Sequence, residues 1–305
     1  MSFKITILGS SGALPAYGRN PSSQFIDIQN RHFLVDCGEG TQIQMQRHQV
    51  SRNRLHHIFI SHLHGDHYLG LMGLLFSMHL HKRTADLHLY SHTGLNEIIM
   101  QHLKHANSAL SYKIIFHRMK PHQAELLYED EKITVTSIPL IHKIPCSGFL
   151  FREKQKPRRI IKETLPVNLT FQQLVDLKSG KDILDEHGEI QYTNVALTHE
   201  PKRSRSYAYC SDTAYNESIL QQIESIDLLY HEATFMNEDA VKATETKHAT
   251  AEQAAIIAQK ANAKKLLLGH FSARYKDLNP LLVEAKNIFK DSYLAVEGQT
   301  FSIKE

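Results

Sequence analysis

The chain has 305 residues, 42% of them hydrophobic and 22% charged, with a formal net charge of +3. A chain of that length buries about three quarters of its unfolded surface, and its usage is globular rather than disordered. The weak charge does not by itself mark a nucleic-acid binder. Three widely spaced cysteines, Cys37, Cys146 and Cys210, exclude a disulfide framework and a thiolate zinc ribbon, and fit a reducing, cytoplasmic setting. The opening MSFKITILGSSGALP carries too short an apolar run for a secretory leader. No stretch approaches the ~18 apolar residues of a membrane helix, so no membrane partner is expected. The unusual figure is 21 histidines beside no tryptophan. It points toward a metal, because neutral imidazole is the commonest metal-ligating side chain.

In chain order, Lys4–Leu8 is β-branched and apolar and ends at the turn Gly9-Ser10-Ser11-Gly12. Phe25–Ile28 and His32–Val35 pair around Gln29-Asn30-Arg31. The small-residue turn Asp36-Cys37-Gly38-Glu39-Gly40-Thr41-Gln42 leads into a helix. Leu55–Ser61 is a strand, His62–His67 a loop, and Tyr68–Leu80 an apolar helix. Asp86–Ser91 is a strand, Leu95–His105 a periodic helix, and Lys113–Arg118 a strand. Glu125–Tyr128 and Lys132–Ile138 form a hairpin, and Phe149–Phe151 is a short extended piece.

Composition shifts at Arg152. The stretch Arg152–Lys162 holds six basic residues and one acidic one. Polar, weakly periodic sequence follows to Gln191, which reads as an insertion over 152–191 projecting from a core domain. Core-like sequence resumes with strands at Ser206–Ser211 and Asp227–Tyr230. Thr250-Ala251-Glu252-Gln253 is a capping box opening an alanine-rich helix to Ala261. Lys265–Leu268 is a buried strand, Asn279-Pro280 opens a helix, and strands at Tyr293–Val296 and Thr300–Ile303 close the chain. The alternation of strands and helices gives an α/β or α+β class.

The densest motif is Ser61-His62-Leu63-His64-Gly65-Asp66-His67. Four possible ligands, His62, His64, Asp66 and His67, follow a strand and precede a helix. Imidazole and carboxylate suit zinc, manganese or iron. Ligands on one loop need distant partners, and three residues stand just past other strands: His142, Asp212 and His270. Seven ligands suit two metals sharing a carboxylate better than one. The remaining histidines, among them His79, His88, His92, His117 and His199, read as surface or structural.

HxHxDH after a strand is the signature of the metallo-β-lactamase superfamily, which this sequence resembles. The resemblance implies a four-layer αββα sandwich with its metal site along one edge of two sheets. Finer motifs narrow it. Gly9–Pro15 (GSSGALP), Arg19–Ser23 (RNPSS), Asp36–Gln42 (DCGEGTQ), His231–Phe235 (HEATF), Lys247–Ala251 (KHATA) and His270–Tyr275 (HFSARY) are similar to those of the ribonuclease Z family of tRNA 3′-processing endonucleases. The similarity runs through the whole chain, implying a single domain over 1–305 with the insertion as a flexible tRNA-binding arm. Ala249 stands where that family commonly has serine, and the insertion lacks a glycine-proline tip.

The resemblance implies two zinc ions per subunit, or manganese in their place. One sits on His62, His64 and His142, the other on Asp66, His67 and His270, and Asp212 bridges them. Asp66 then accepts a proton from the attacking water, His248 donates one to the leaving 3′ oxygen, and Glu232 orients His248. The position of His248 before a helix N-terminus predicts a lowered imidazole pKa. Arg274 contacts the substrate, and Arg152, Lys154, Lys156, Arg158, Arg159 and Lys162 form the arm's contact with precursor tRNA. A homodimer is implied, each arm serving the other subunit's site. The competing readings are a small-molecule metallo-hydrolase on the same fold (phosphodiesterase, lactonase or arylsulfatase), which needs no RNA-clamping insertion, and a non-catalytic binding module, which tolerates eroded ligands.

Overall fold

Short strands, the central ones buried on both faces, build two seven-stranded sheets in a computed structural model that describes residues 1–305. The strands begin with β1 (Phe3–Gly9), β2 (Ser23–Ile28), β3 (Arg31–Val35), β4 (Leu55–Phe59), β5 (Leu87–Ser91) and β6 (Ile114–Arg118). Next come β7 (Leu126–Glu129), β8 (Ile133–Pro139) and β9 (Ser147–Glu153). The insertion holds the short strands β10 (Arg159–Ile160), β11 (Ile183–Leu184), β12 (Ile190–Tyr192) and β13 (Thr198–His199). The chain finishes with β14 (Ser206–Cys210), β15 (Leu228–Glu232), β16 (Leu266–Gly269), β17 (Ser292–Leu294) and β18 (Thr300–Ser302). The first sheet runs β18-β1-β2-β3-β4-β5-β6 and the second β17-β16-β15-β14-β9-β8-β7. In each, one half is antiparallel and the other parallel: β3 to β6 in the first, β14 to β17 in the second.

The helices are α1 (Thr41–Arg47), α2 (Gly65–Tyr68), α3 (Leu71–Leu80), α4 (Leu95–His105), α5 (Phe171–Ser179), α6 (Asn194–Leu197), α7 (Ala240–Thr246), α8 (Ala251–Lys260) and α9 (Asn279–Ile288). Three apolar cores separate four layers. Phe33, Phe59, Phe149, Phe151, Tyr207 and Tyr230 fill the space between the sheets. Leu34 and Ile58 turn the other way, onto Leu71, Leu74 and Leu75 of α3 and Ile99 of α4. Leu229 and Leu268 meet Ala254, Ala255 and Ala258 of α8 and Leu281 of α9. Along β4 and β16, successive residues therefore serve different cores, as the two-residue period of a strand requires. The order helix, sheet, sheet, helix is the expected αββα sandwich.

Three local expectations change. The helix expected over Tyr68–Leu80 is two helices. The break falls at Gly70, whose Cα lies against the Gly38 backbone so closely that a Cβ would collide with it. The first of the two, α2, starts inside the stretch read as a loop, so Asp66 and His67 occupy a helical first turn. The short piece at Phe149–Phe151 is a full seven-residue strand, β9. The composition boundary at Arg152 therefore falls inside the sheet, where Arg152 pairs in register with Thr134 and Ser206.

The insertion leaves the sheet after Glu153 and returns at Ser206, and it is folded. Thr170 and Gln173 form a reciprocal capping box on α5, which Gly180 ends in a left-handed conformation. Leu177, Ile183 and Leu197 make a small core of their own. At its root, Arg205 is 2% exposed and donates to Glu153 through Nε at 3.0 Å and Nη2 at 2.6 Å. Its Nη1 also donates to the carbonyls of Met1 and Ile303.

Candidate metal centre

The parallel halves of both sheets end on the same side of the sandwich, and the loops that follow them, with the one after β8, carry the metal-ligand candidates. His62 follows β4, Asp212 follows β14, His270 follows β16, and His142 follows β8. All seven expected ligands are brought together. His62, His64, His142 and Asp212 offer ligand atoms within 4.8 Å of one another, and Asp66, His67 and His270 form a second such set. In the first set His64 Nδ1 lies 3.0 Å from His62 Nε2 and 3.1 Å from His142 Nε2. In the second, His270 Nε2 lies 3.3 Å from His67 Nε2 and 3.2 Å from Asp66 Oδ2. Asp212 is divided between them. Its Oδ1 is 3.3 Å from His67 and 3.1 Å from His270, and its Oδ2 is 3.6 Å from His62 and 3.8 Å from His142.

The hydrogen bonds behind these rings decide which nitrogens face inward. His142 Nδ1 is 2.9 Å from the Lys247 carbonyl and His67 Nδ1 2.8 Å from Asp36 Oδ2, so both Nδ1 atoms are donors. His270 Nδ1 lies 2.9 Å from Thr234 Oγ1. In all three rings Nδ1 is thus taken by an outer partner and Nε2 is the nitrogen that faces the cluster. Ring nitrogens 3.0–3.3 Å apart match the spacing of nitrogens around a zinc-sized cation with bonds of ~2.1 Å. The donor set thus fits divalent metal.

Electrostatics agree. Burial, reinforced by neighbouring imidazoles, holds His62 well below its ordinary value, and burial lowers His64 and His142 against the opposing charge of Asp212. All three are thereby kept neutral, as ligands must be. Burial works against ionised Asp66 and Asp212, yet the surrounding imidazoles outweigh it and hold both below the usual carboxylate range. His67 is also fully buried, and three carboxylates, Asp212, Asp66 and Asp36, more than offset that burial and raise it.

Asp36 and Thr234 are the residues that sequence reasoning missed. Asp36 accepts from the Ser61 amide at 2.7 Å, Ser61 Oγ at 2.9 Å and the Tyr209 hydroxyl at 2.7 Å, besides His67. Its signal was position: it follows β3 as His62 follows β4. Asp36 and His270 both hold left-handed backbone conformations, φ 55° and 58°, a strain of the kind that gathers at functional sites. The first loop closes over the centre. The Ala13 amide donates to Asp66 Oδ2 at 2.7 Å, and a Cβ on Gly12 would lie 2.8 Å from His270.

His248 lies beside the cluster, its Nδ1 2.8 Å from Glu232 Oε1. The expected lowering of its pKa is reversed. Burial does pull it down, but the charge and hydrogen bond of the buried Glu232 carry it up to about 9. Arg274 sits over the Phe235 ring, and its Nη1 donates to Asp239 at 2.6 Å, an ion pair at a loop.

The arm residues are not brought to the cluster. Ser147, at one end of β9, bonds Ser61 of the metal loop, whereas Glu153 at the other end pairs with Arg205. Seven residues of strand put the insertion's root about 20 Å from the metal end. Arg152 is a sheet residue. Lys154 pairs with Glu129, Lys156 with Glu153 and Glu305, and Arg158 with Glu200. Arg159 reaches only the Glu200 carbonyl, at 3.4 Å, and Lys162 is exposed. Of the histidines read as structural, His92 is buried against Ser147, and His88 bonds His117 across β5 and β6 at 2.9 Å. No helix is long and apolar enough to cross a membrane.

Known proteins share this architecture. A family model described as beta-lactamase superfamily domain matches residues 161–271, and one described as anti-Pycsar protein Apyc1 matches residues 3–159. The crystal structure of human tRNase Z, short form, has a TM-score of 0.72 at 25% identity, covering 99% of this chain and 100% of that one. The metallo-beta-lactamase fold protein YhfI from Bacillus subtilis has a TM-score of 0.69 at 20% identity, covering 99% and 100%. The sandwich and its clustered His and Asp side chains define a metallo-β-lactamase-fold protein suited to divalent metal. Within that class, ribonuclease Z of Bacteroides thetaiotaomicron is 45% identical over 302 residues, 99% of this chain and 95% of the relative. Ribonuclease Z of Cytophaga hutchinsonii is 43% identical over 305 residues, 100% and 97%. The chain belongs to the ribonuclease Z family.

Proposed function

We infer that this chain is a metal-dependent endoribonuclease that removes 3′ trailers from precursor tRNA, leaving a 3′-hydroxyl on the tRNA and a 5′-phosphate on the trailer. The observation that carries this reading is the division of Asp212 between two ligand sets in a chain whose relatives are ribonucleases Z. His62, His64 and His142 would hold one divalent cation and Asp66, His67 and His270 the other, with Asp212 shared. Zinc and manganese both suit these donors. When bound, such a pair supplies positive charge to the attacking and leaving oxygens of an in-line displacement at phosphorus.

The chain's own groups do the rest. Asp66 is fixed through Oδ2 by the Ala13 amide and His270, and it accepts the proton of the attacking water. His248 has Nδ1 taken by Glu232, so Nε2 is the nitrogen left to give a proton to the departing 3′ oxygen. Such proton transfer contributes about 10²–10⁴-fold. Asp239 already holds Arg274, which leaves its other amino group for the trailer.

The folded insertion serves as the exosite for the tRNA body through phosphate contacts, with shape rather than base sequence setting specificity. Its root lies far from its own metal end, which supports a homodimer in which each arm serves the partner's site. The three free, buried cysteines are in keeping with a cytoplasmic enzyme. The test is incubation with a 3′-extended precursor tRNA, with and without chelator, beside Asp66→Ala. A chelator-sensitive cut near the discriminator nucleotide, lost in Asp66→Ala, is expected. No such cut overturns the activity, and a cut that survives in Asp66→Ala overturns the role of Asp66.

A further inference from the structure

The Thr234 hydroxyl stands where the two functional halves of the centre meet. Thr234 is 5% exposed and follows β15 two residues after Glu232. Its Oγ1 lies 2.6 Å from Glu232 Oε2, 2.9 Å from His270 Nδ1, 3.3 Å from His248 Nδ1 and 3.1 Å from the His270 carbonyl. Its amide also donates to Glu232 Oε2, at 3.1 Å. A hydroxyl has one proton to give and two lone pairs to receive with. The shortest contact is to a fully buried carboxylate, and a charged acceptor makes the stronger bond. The proton therefore goes to Glu232, and Oγ1 is left to accept from the His270 Nδ1–H.

That direction has two results. It protonates His270 at Nδ1 and so leaves Nε2 bare toward Asp66, His67 and Asp212. It also completes the four donors that Glu232 needs, the others being the Thr213 amide at 2.9 Å, the Thr234 amide and His248 Nδ1. One side chain thus sets the ring of a metal-ligand candidate and the carboxylate that carries the proton donor.

We propose that Thr234 is a positioning residue that couples the Asp66/His67/His270 metal half to the Glu232–His248 pair, through a single hydroxyl that accepts from His270 and donates to Glu232. The inference rests on reading His270 as a metal ligand and His248 as the proton donor. A carboxylate alone bonded to a ligand histidine would tune the metal only. Here the hydroxyl ties the tautomer of a ligand to the orientation of a group that acts on the leaving oxygen. Losing it should weaken one metal half and the proton transfer together.

The test uses two pairs of variants of the full chain, each differing by the hydroxyl alone: wild type against Thr234→Val, and Thr234→Ser against Thr234→Ala. The first pair keeps the branched shape. The second removes the methyl from both members, so a packing role cancels. Zinc affinity is read by competition with a chromogenic chelator, without substrate, and kcat and KM are read separately on a 3′-extended precursor tRNA. Outer partners of metal-bound histidines are worth about 10–100-fold in affinity. Thr234→Val and Thr234→Ala should lose that much affinity for one of two zinc ions. Their kcat should fall further with KM within twofold, and Thr234→Ser should stay near wild type in both. If Thr234→Val does not fold, the serine–alanine pair decides alone.

Equal affinity in Thr234→Ala and Thr234→Ser overturns the proposal, as does a fall in KM-linked binding with kcat unchanged. His270→Ala, measured alongside, separates this from failure of the underlying reading. If it binds zinc as wild type does, His270 is not a ligand and the reading itself falls.

Discussion

Replacing Glu153 by Gln tests the buried pair at the root of the insertion. The Glu153 carboxylate receives from Arg205 at three nitrogens, from Gln29 at 2.6 Å and from Lys156 at 3.0 Å. Burial raises its pKa, but the Arg205 hydrogen bonds and those of Gln29 and Lys156 outweigh this and bring it from 4.5 down to about 2. A group whose folded pKa is lowered stabilises the fold above its unfolded value and loses that contribution as the pH falls through the folded one. That lowering corresponds to about 3 kcal/mol at neutral pH. Leaving Arg205 buried without its partner charge costs about 3–5 kcal/mol by independent experience with broken buried pairs, so the two figures agree. With an unfolding entropy of roughly 2.1 cal/mol/K per residue, that is about 5–8 °C in melting temperature. The assay is thermal or urea unfolding of wild type and Glu153→Gln between pH 7 and pH 2.5. The gap should be full above about pH 5 and should close as the pH approaches 2. A gap of constant size across that range would refute the assignment, because only the ionised carboxylate distinguishes the two chains.

Three further outcomes are expected. Asp36→Asn should lower metal affinity by about 10–100-fold through loosening His67, read as bound zinc after dialysis; wild-type occupancy would count against its role. Glu232→Gln and His248→Ala should each reduce kcat by about 10²–10⁴-fold, and loss of metal in His248→Ala would move that residue into the ligand shell. Neutralising Arg159 and Lys162 together should weaken precursor tRNA binding and flatten its dependence on salt. Neutralising Lys154, already paired with Glu129, should do much less, and an equal effect would contradict the ion-pair assignment.

The metal motif was legible because it is local: a strand, a glycine-containing turn and four ligands in six residues. Helix α4 was legible to its last residue, and the Thr250–Gln253 capping box is as expected. Partners His142, Asp212 and His270 were found by one rule, that each follows a strand. What escaped depends on groups distant in sequence. The break before α3 comes from Gly38 packing on Gly70, which no periodicity encodes. Strand β9 looked short because its last residues are charged, and the burial of Glu153 depends on Arg205, 52 positions on. The insertion read as a polar, weakly periodic projection because its core is only three side chains. The raised His248 pKa was missed because only the helix end was weighed, although the resemblance already paired His248 with Glu232, whose complete burial no sequence pattern shows.

The ligand sets straddle the sandwich. His62, His64, Asp66 and His67 hang from the first sheet, and His142, Asp212 and His270 from the second. A cation held by His67 and His270 would therefore join points 203 positions apart, closing a loop as a crosslink does. Such a bond acts against the entropy of the open chain, and most strongly where the loop is long. The centre would then clasp the two sheets together at the end where the parallel strands finish. Chelation should loosen that end before the middle of the sandwich, so amide exchange at the tips of β4 and β16 reports metal loss before global unfolding.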